Sequence, residues 1–78
     1  MPTIGWIGPY RFFFFASDRD EPPHVHVERD GAATKIWLSP VRLAGNWGFT
    51  PREAFRVVRI VASNRARFLE AWHEFFER

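Results

Sequence analysis

The chain contains no cysteine, which excludes a disulfide framework and a thiolate metal site. It also lacks a long apolar run. The longest, Phe12 to Ala16, is far too short to cross a membrane, so no membrane partner is expected. Met1-Pro2-Thr3 opens no basic segment followed by an apolar stretch, so no secretory signal is expected. A cytoplasmic location is therefore expected, and it fits the missing cysteines. Neither sign of charge dominates: the net charge is +2 and the pI about 9.9, carried almost wholly by arginine. That is mildly basic and by itself a weak argument for nucleic acid. No internal repeat is visible, and the four consecutive phenylalanines Phe12–Phe15 are the only biased segment.

What is present in excess is aromatic side chains, 18% of 78 residues, with nine Phe and four Trp. A chain of this length makes one domain, 1–78, with one small core. So many rings must either pack densely or lie on a surface that another chain covers.

The most informative stretch is Pro22-Pro23-His24-Val25-His26-Val27-Glu28. From His24 on, apolar and polar residues alternate with the period of a β-strand. Val25 and Val27 then share one face, and His24, His26 and Glu28 the other. Pro22 and Pro23 remove two backbone donors and hold the entry extended. Asp30-Gly31 is a two-residue hairpin signal. It sets Arg29 against Ala32, Glu28 against Ala33, Val27 against Thr34, His26 against Lys35, Val25 against Ile36 and His24 against Trp37. One face of the hairpin then suits a core, and the other gathers His24, His26, Glu28, Lys35 and Trp37.

Before this hairpin, residues 2–9 read as a lead-in or short edge strand, Tyr10 to Ala16 as a strand with rings on both faces, and Ser17 to Pro23 as a solvated loop. After it, Val41 to Leu43 reads as a short strand or a bend, and residues 44–48 as a loop. Thr50-Pro51-Arg52-Glu53 announces a helix: a capping threonine, proline at the first helical position and a glutamate completing a capping box. Phe55, Val58, Val61, Ala62, Phe68, Leu69, Trp72, Phe75 and Phe76 continue at helical spacing, which predicts one long helix to about Phe76. A break at Ser63-Asn64 is the alternative. The expected fold is α+β, a three- to four-stranded antiparallel meander with a long C-terminal helix on one face. Trp72 is expected to pack over Val25 and Ile36. The far face of the Phe12–Phe15 strand is expected to need covering by a second subunit, or by Trp6 and Trp47.

Imidazoles at i and i+2 of a strand lie about 7 Å apart and can converge on one ion. Lys35 opposite His26 argues against it, so no metal and no cofactor is expected. The same residues suit general acid–base work, with His24, His26, Glu28 and Lys35 as catalytic candidates. Arg11, Arg29 and Trp37 are binding candidates beside them. The plainer reading has the histidines bonding to loop carboxylates such as Asp18 or Asp20, or meeting a protein partner. Arg52, Arg56 and Arg59 share one helix face and could track a phosphate backbone, although such a stripe is more often a wet helix face.

Gly8-Pro9-Tyr10-Arg11-Phe12-Phe13-Phe14, Glu21-Pro22-Pro23-His24-Val25-His26-Val27-Glu28, Lys35-Ile36-Trp37-Leu38 and Leu69-Glu70-Ala71-Trp72-His73-Glu74-Phe75-Phe76 resemble, in order and spacing, a small bacterial family known as domain of unknown function number 4160. The chain departs from that family's common pattern at Ser39, where Asp is frequent, and at Asn64, where His is frequent. Members often lie beside a second small family of unknown function, number 2442, so the resemblance implies a component of a toxin–antitoxin-like pair, with no role assigned to either member. The leading expectation is a protein-interaction module whose partner is the product of a neighbouring gene; a homodimer is also considered. A small metal-independent ribonuclease using His24 and His26, or a nucleic-acid-binding regulator using the arginine stripe, are the alternatives.

Overall fold

A computed structural model describes residues 3–77. Five strands form one antiparallel sheet in sequence order: β1 Thr3–Ile7, β2 Tyr10–Phe13, β3 His24–Arg29, β4 Ala32–Leu38 and β5 Val41–Trp47. A 3₁₀ helix, Ala16–Asp20, joins β2 to β3, and two helices follow the sheet, α1 Pro51–Ser63 and α2 Arg65–Phe76. The architecture is α+β, with five strands rather than three or four and two helices rather than one.

The β3–β4 hairpin has the register that its turn dictates, from Arg29 opposite Ala32 to His24 opposite Trp37. Asp30 and Gly31 both take positive φ, 50° and 84°, as a turn matched to the twist of the strands requires. Val25, Val27, Thr34, Ile36 and Leu38 are fully buried. Phe12 pairs with Val27 on the same face, and its ring stacks on Phe68 with centroids 4.9 Å apart.

β1 occupies most of the expected lead-in; Pro2 lies outside the described residues. β2 stops at Phe13 rather than Ala16, and the chain turns into the 3₁₀ helix. β5 runs through residues expected to form a loop. Lys35 pairs with Gly45 and Ile36 with Leu43, so Ala44 is an extra residue that breaks the alternation. A similar irregularity interrupts β1 between Thr3 and Gly5. Both edges of the sheet are thus bent, a usual protection for unpaired strand edges.

Thr50 Oγ1 accepts the Glu53 backbone N–H at 3.1 Å and caps α1. The reciprocal half of the capping box does not form, because the Glu53 carboxylate turns to Arg29 and Tyr10 instead. The chain breaks at Asn64, whose side-chain amide donates to the Ile60 carbonyl at 2.8 Å. The buried stripe is Ala54, Val57, Val61, Phe68, Trp72 and Phe76. It omits Phe55, Ala62 and Phe75, all expected on it, which are exposed. At the break, Arg65 donates to the Leu38 carbonyl at 2.7 Å and to Ser39 Oγ at 3.1 Å, tying α2 to the β4–β5 turn, where the Ser39–Pro40 peptide is cis.

Candidate functional site

Alternation along β3 puts His26 and Glu28 on the sheet face away from α1, and β2 adds Arg11 and Phe13 to that face. The residues do not gather into one open cluster. Glu28 accepts from Arg11 at 2.6 Å. Lys35 pairs with Glu21 and leans over Trp37, its Nζ 4.8 Å from the ring centroid. That hydrogen bond from Lys35 holds the Glu21 carboxyl below the usual carboxylate range. Arg29 turns to Glu53, Nη2 donating to Oε1 at 2.8 Å.

His24 was expected on the exposed polar face, but its ring is fully buried. At the start of β3 it meets Trp37 across the hairpin and Trp72 of α2, with centroids 5.4 and 5.1 Å away. Trp72 is a buried core residue, as expected, but its ring partners are Phe14, Phe76 and His24. His26 is wedged between Phe13 and Phe15, at 5.4 and 4.6 Å. Phe13 itself is buried by Phe15, His26 and the Arg11 guanidinium 4.3 Å above its ring. The chain therefore covers this part of its second face with local groups. Neither Trp6 nor Trp47 folds over it; they are 63% and 61% exposed.

Asp18 joins the two histidines. The 3₁₀ helix tucks its side chain inward, where Oδ2 accepts the Phe15 backbone N–H at 2.8 Å. His26 Nε2 lies 3.0 Å from the same Oδ2, and a carboxylate oxygen only accepts, so this nitrogen donates. His24 Nε2 lies 3.1 Å from Oδ1, off the hydrogen-bond direction, and has no hydrogen-bond partner. Burial lowers the His26 pKa from the ordinary imidazole value, against the pull of the Asp18 charge, which keeps the ring neutral near pH 7. The sequence shows Asp18 as one of three acids in a polar loop. What marks it structurally is its position three residues after Phe15, from which it reaches back to that backbone N–H.

Two further surfaces carry candidate residues. An open depression of about 370 Å³ is lined by Pro9, Tyr10, Arg29, Arg52, Glu53 and Arg56. Arg59 stands further along α1, beside Arg56 at a second depression. Arg52, Arg56 and Arg59 are exposed and form no salt bridge among the described residues. Along the other side of α1, a groove of about 490 Å³ runs between the helix and edge strand β5, lined chiefly by Val41, Leu43, Pro51, Ala54, Phe55 and Val58.

The meander, the helix pair broken at Asn64 and the inward-facing His–Asp cluster define a small α+β protein with a layer of helix on one sheet face. The chain belongs to the family described as Domain of unknown function (DUF4160), which it matches over residues 9–73. No curated protein and no solved structure matches it. Among the described residues, no helix is long and apolar enough to cross a membrane.

Proposed function

We propose that the chain is a protein-interaction module acting in the cytoplasm as one component of a toxin–antitoxin-like pair, its partner the product of a neighbouring gene. The observation that carries this reading is the groove between β5 and α1. Phe55 is 65% exposed and Leu43 41% exposed at this groove, and the apolar lining continues through Val41 and Val58. Apolar side chains gathered along an unpaired strand edge mark an interaction surface rather than a scattered exterior. Arg42 at the groove, with Arg52 and Arg56 along α1, suits a partner segment that is apolar on one side and acidic at its margin.

The test is co-purification of the chain with the neighbouring gene's product, and sedimentation of each alone and of the mixture. Phe55→Asp and Leu43→Asp should each abolish the complex while leaving the melting temperature of the isolated chain nearly unchanged, since both side chains already face water. A complex that survives both substitutions removes the groove from consideration. Self-association abolished by the same substitutions would make a second copy the occupant.

A nucleic-acid-binding regulator is the second reading, supported by the three exposed arginines of α1, which form no salt bridge among the described residues. Its mark would be affinity for RNA or DNA that falls steeply with salt. A ribonuclease working through His24 and His26 has less support, because acid–base work on a substrate needs both rings within its reach and His24 is closed off from solvent.

A further inference from the structure

We propose that Asp18, His24 and His26 form a binding site for one divalent first-row transition metal ion, which fastens the 3₁₀ helix to β3. One ligand atom from each residue, a ring nitrogen of each histidine and a carboxylate oxygen, lies within 4.8 Å of the other two. His26 Nε2, the proton donor to Asp18 in the metal-free chain, becomes a ligand when its proton passes to Nδ1, the other neutral tautomer. His24 is the decisive member. The Pro22 carbonyl only accepts, so His24 Nδ1 donates its proton there, at 2.9 Å. In the neutral ring Nε2 then carries the lone pair. It is buried, without a hydrogen-bond partner, and 3.1 Å from a carboxylate oxygen. Two acceptors facing each other out of reach of water are unfavourable unless something positive stands between them. A backbone carbonyl on one imidazole nitrogen, with the other directed into a ligand cluster, is the usual setting of a metal-bound histidine.

The dimensions suit an ion. Tetrahedral ligands about 2.0–2.1 Å from a metal lie about 3.3 Å from one another. His24 Nε2 lies 3.1 Å from Asp18 Oδ1 and His26 Nε2 3.0 Å from Oδ2, so each ring already stands near that spacing from one oxygen of the carboxylate. Two imidazoles and one carboxylate are a ligand set for zinc or iron rather than for calcium or magnesium. Lys35, which opposes His26 in the ladder, is engaged by Glu21 and Trp37 rather than by the cluster. The His26 side chain is the most exposed of the three, 14% against 0% and 7%, so water can complete the coordination from its side.

The test uses the full chain, stripped with a chelator and titrated with Zn²⁺ by calorimetry and thermal melting. One equivalent should bind and raise the melting temperature. Asp18→Asn and His26→Gln should each weaken binding by more than about 100-fold, beyond the loss typical of an outer-shell partner. His73→Ala, at the exposed His73–Glu77 pair, should leave the stoichiometry at one. Ring-nitrogen NMR of the unmutated chain keeps the proposal falsifiable should a variant not fold: Nε2 of His24 and of His26 should shift with Zn²⁺, and His73 should not. Absence of any heat or melting shift with Zn²⁺, Co²⁺ and Fe²⁺, or a response confined to His73, would overturn it.

Discussion

Two carboxylates bind outlying elements to β3, and they do so differently. Glu53, in the first turn of α1, accepts from Arg29 at 2.8 Å and from the Tyr10 hydroxyl at 2.8 Å. Its partners are donors, and all three residues line a depression open to water. Asp18, in the 3₁₀ helix, accepts from a backbone N–H and from His26, and faces a third group, His24 Nε2, that is no donor in its neutral tautomer. In the first cluster each carboxylate oxygen has a donor, and the one atom left over, Arg29 Nε, is itself a donor 2.8 Å from Glu53 Oε2, so the charges balance within the chain. The second leaves an acceptor over, His24 Nε2, which is buried and has no hydrogen-bond partner, so it points to a species the chain does not itself supply. Polar clusters in one small sheet are therefore better sorted by the balance of donors and acceptors than by residue type.

The largest expected effect comes from opening the buried cluster at its lid. Trp72 closes over His24 and packs on Phe14 and Phe76. Trp72→Ala should destabilise the chain by about 3–5 kcal/mol, as for large-to-small core changes. That is a large share of what a domain this small has. Urea denaturation checks it, and a loss below about 1 kcal/mol would mean the lid is not part of the core. Next is Asp18→Ala in the metal-free chain, which strips the half-buried Phe15 N–H and His26 of their acceptor and should cost about 2–3 kcal/mol. Glu21→Ala is the contrast. Its carboxylate meets Lys35 at the surface, and removing such a pair changes stability little. Equal losses at Asp18 and Glu21 would erase the distinction between a buried and a surface carboxylate.

The saturated parts of the fold were the legible ones. Asp30-Gly31 is a local turn signal, and the whole β3–β4 register follows from it without reference to the rest of the chain. Thr50-Pro51 likewise marks the start of α1. β5 was hidden because the bulge at Ala44 shifts its alternation by one residue, leaving Ala44-Gly45-Asn46 to read as loop. The break at Asn64 is legible only as the alternative to one long helix, for the opposite reason: the apolar stripe keeps its phase across it, with Val61 and Phe68 both buried. His24 shows how far a strand pattern reaches. Alternation assigns a side chain to a face, but whether the ring of a distant helix closes over it is a tertiary matter. The candidate site was half legible: its two histidines stand out, while Asp18 becomes a partner only when the loop folds into a 3₁₀ helix and carries it inward.

A smaller effect tests the cap on the saturated side. Thr50→Ala removes the acceptor of the Glu53 backbone N–H and should cost about 1 kcal/mol. An unchanged thermal melt would show that the Arg29–Glu53 pair alone holds the start of α1.

The smallest effect tests the Glu53 cluster through its charge. The hydrogen bond from Arg29, then that from Tyr10, holds the Glu53 carboxyl below its ordinary value. Burial first, and the bond to Glu53 second, raise the Tyr10 pKa, so the hydroxyl keeps the proton it donates. A carboxyl whose folded pKa is depressed contributes stability that is fully present above its unfolded pKa, about 4.3, and is lost as the pH falls from there through the folded value. Glu53→Gln keeps the shape and removes the charge. The melting temperature of the unmutated chain should therefore exceed that of Glu53→Gln by a constant margin near neutral pH. The margin should shrink once the pH drops below about 4.3 and vanish beneath the folded pKa. Because Arg29 and Glu53 are partly exposed, added salt should narrow the neutral-pH margin as well. A margin independent of pH would mean that the carboxylate acts through shape and neutral hydrogen bonding alone, and the contrast between a charge-saturated cluster and an unbalanced one would lose its electrostatic half.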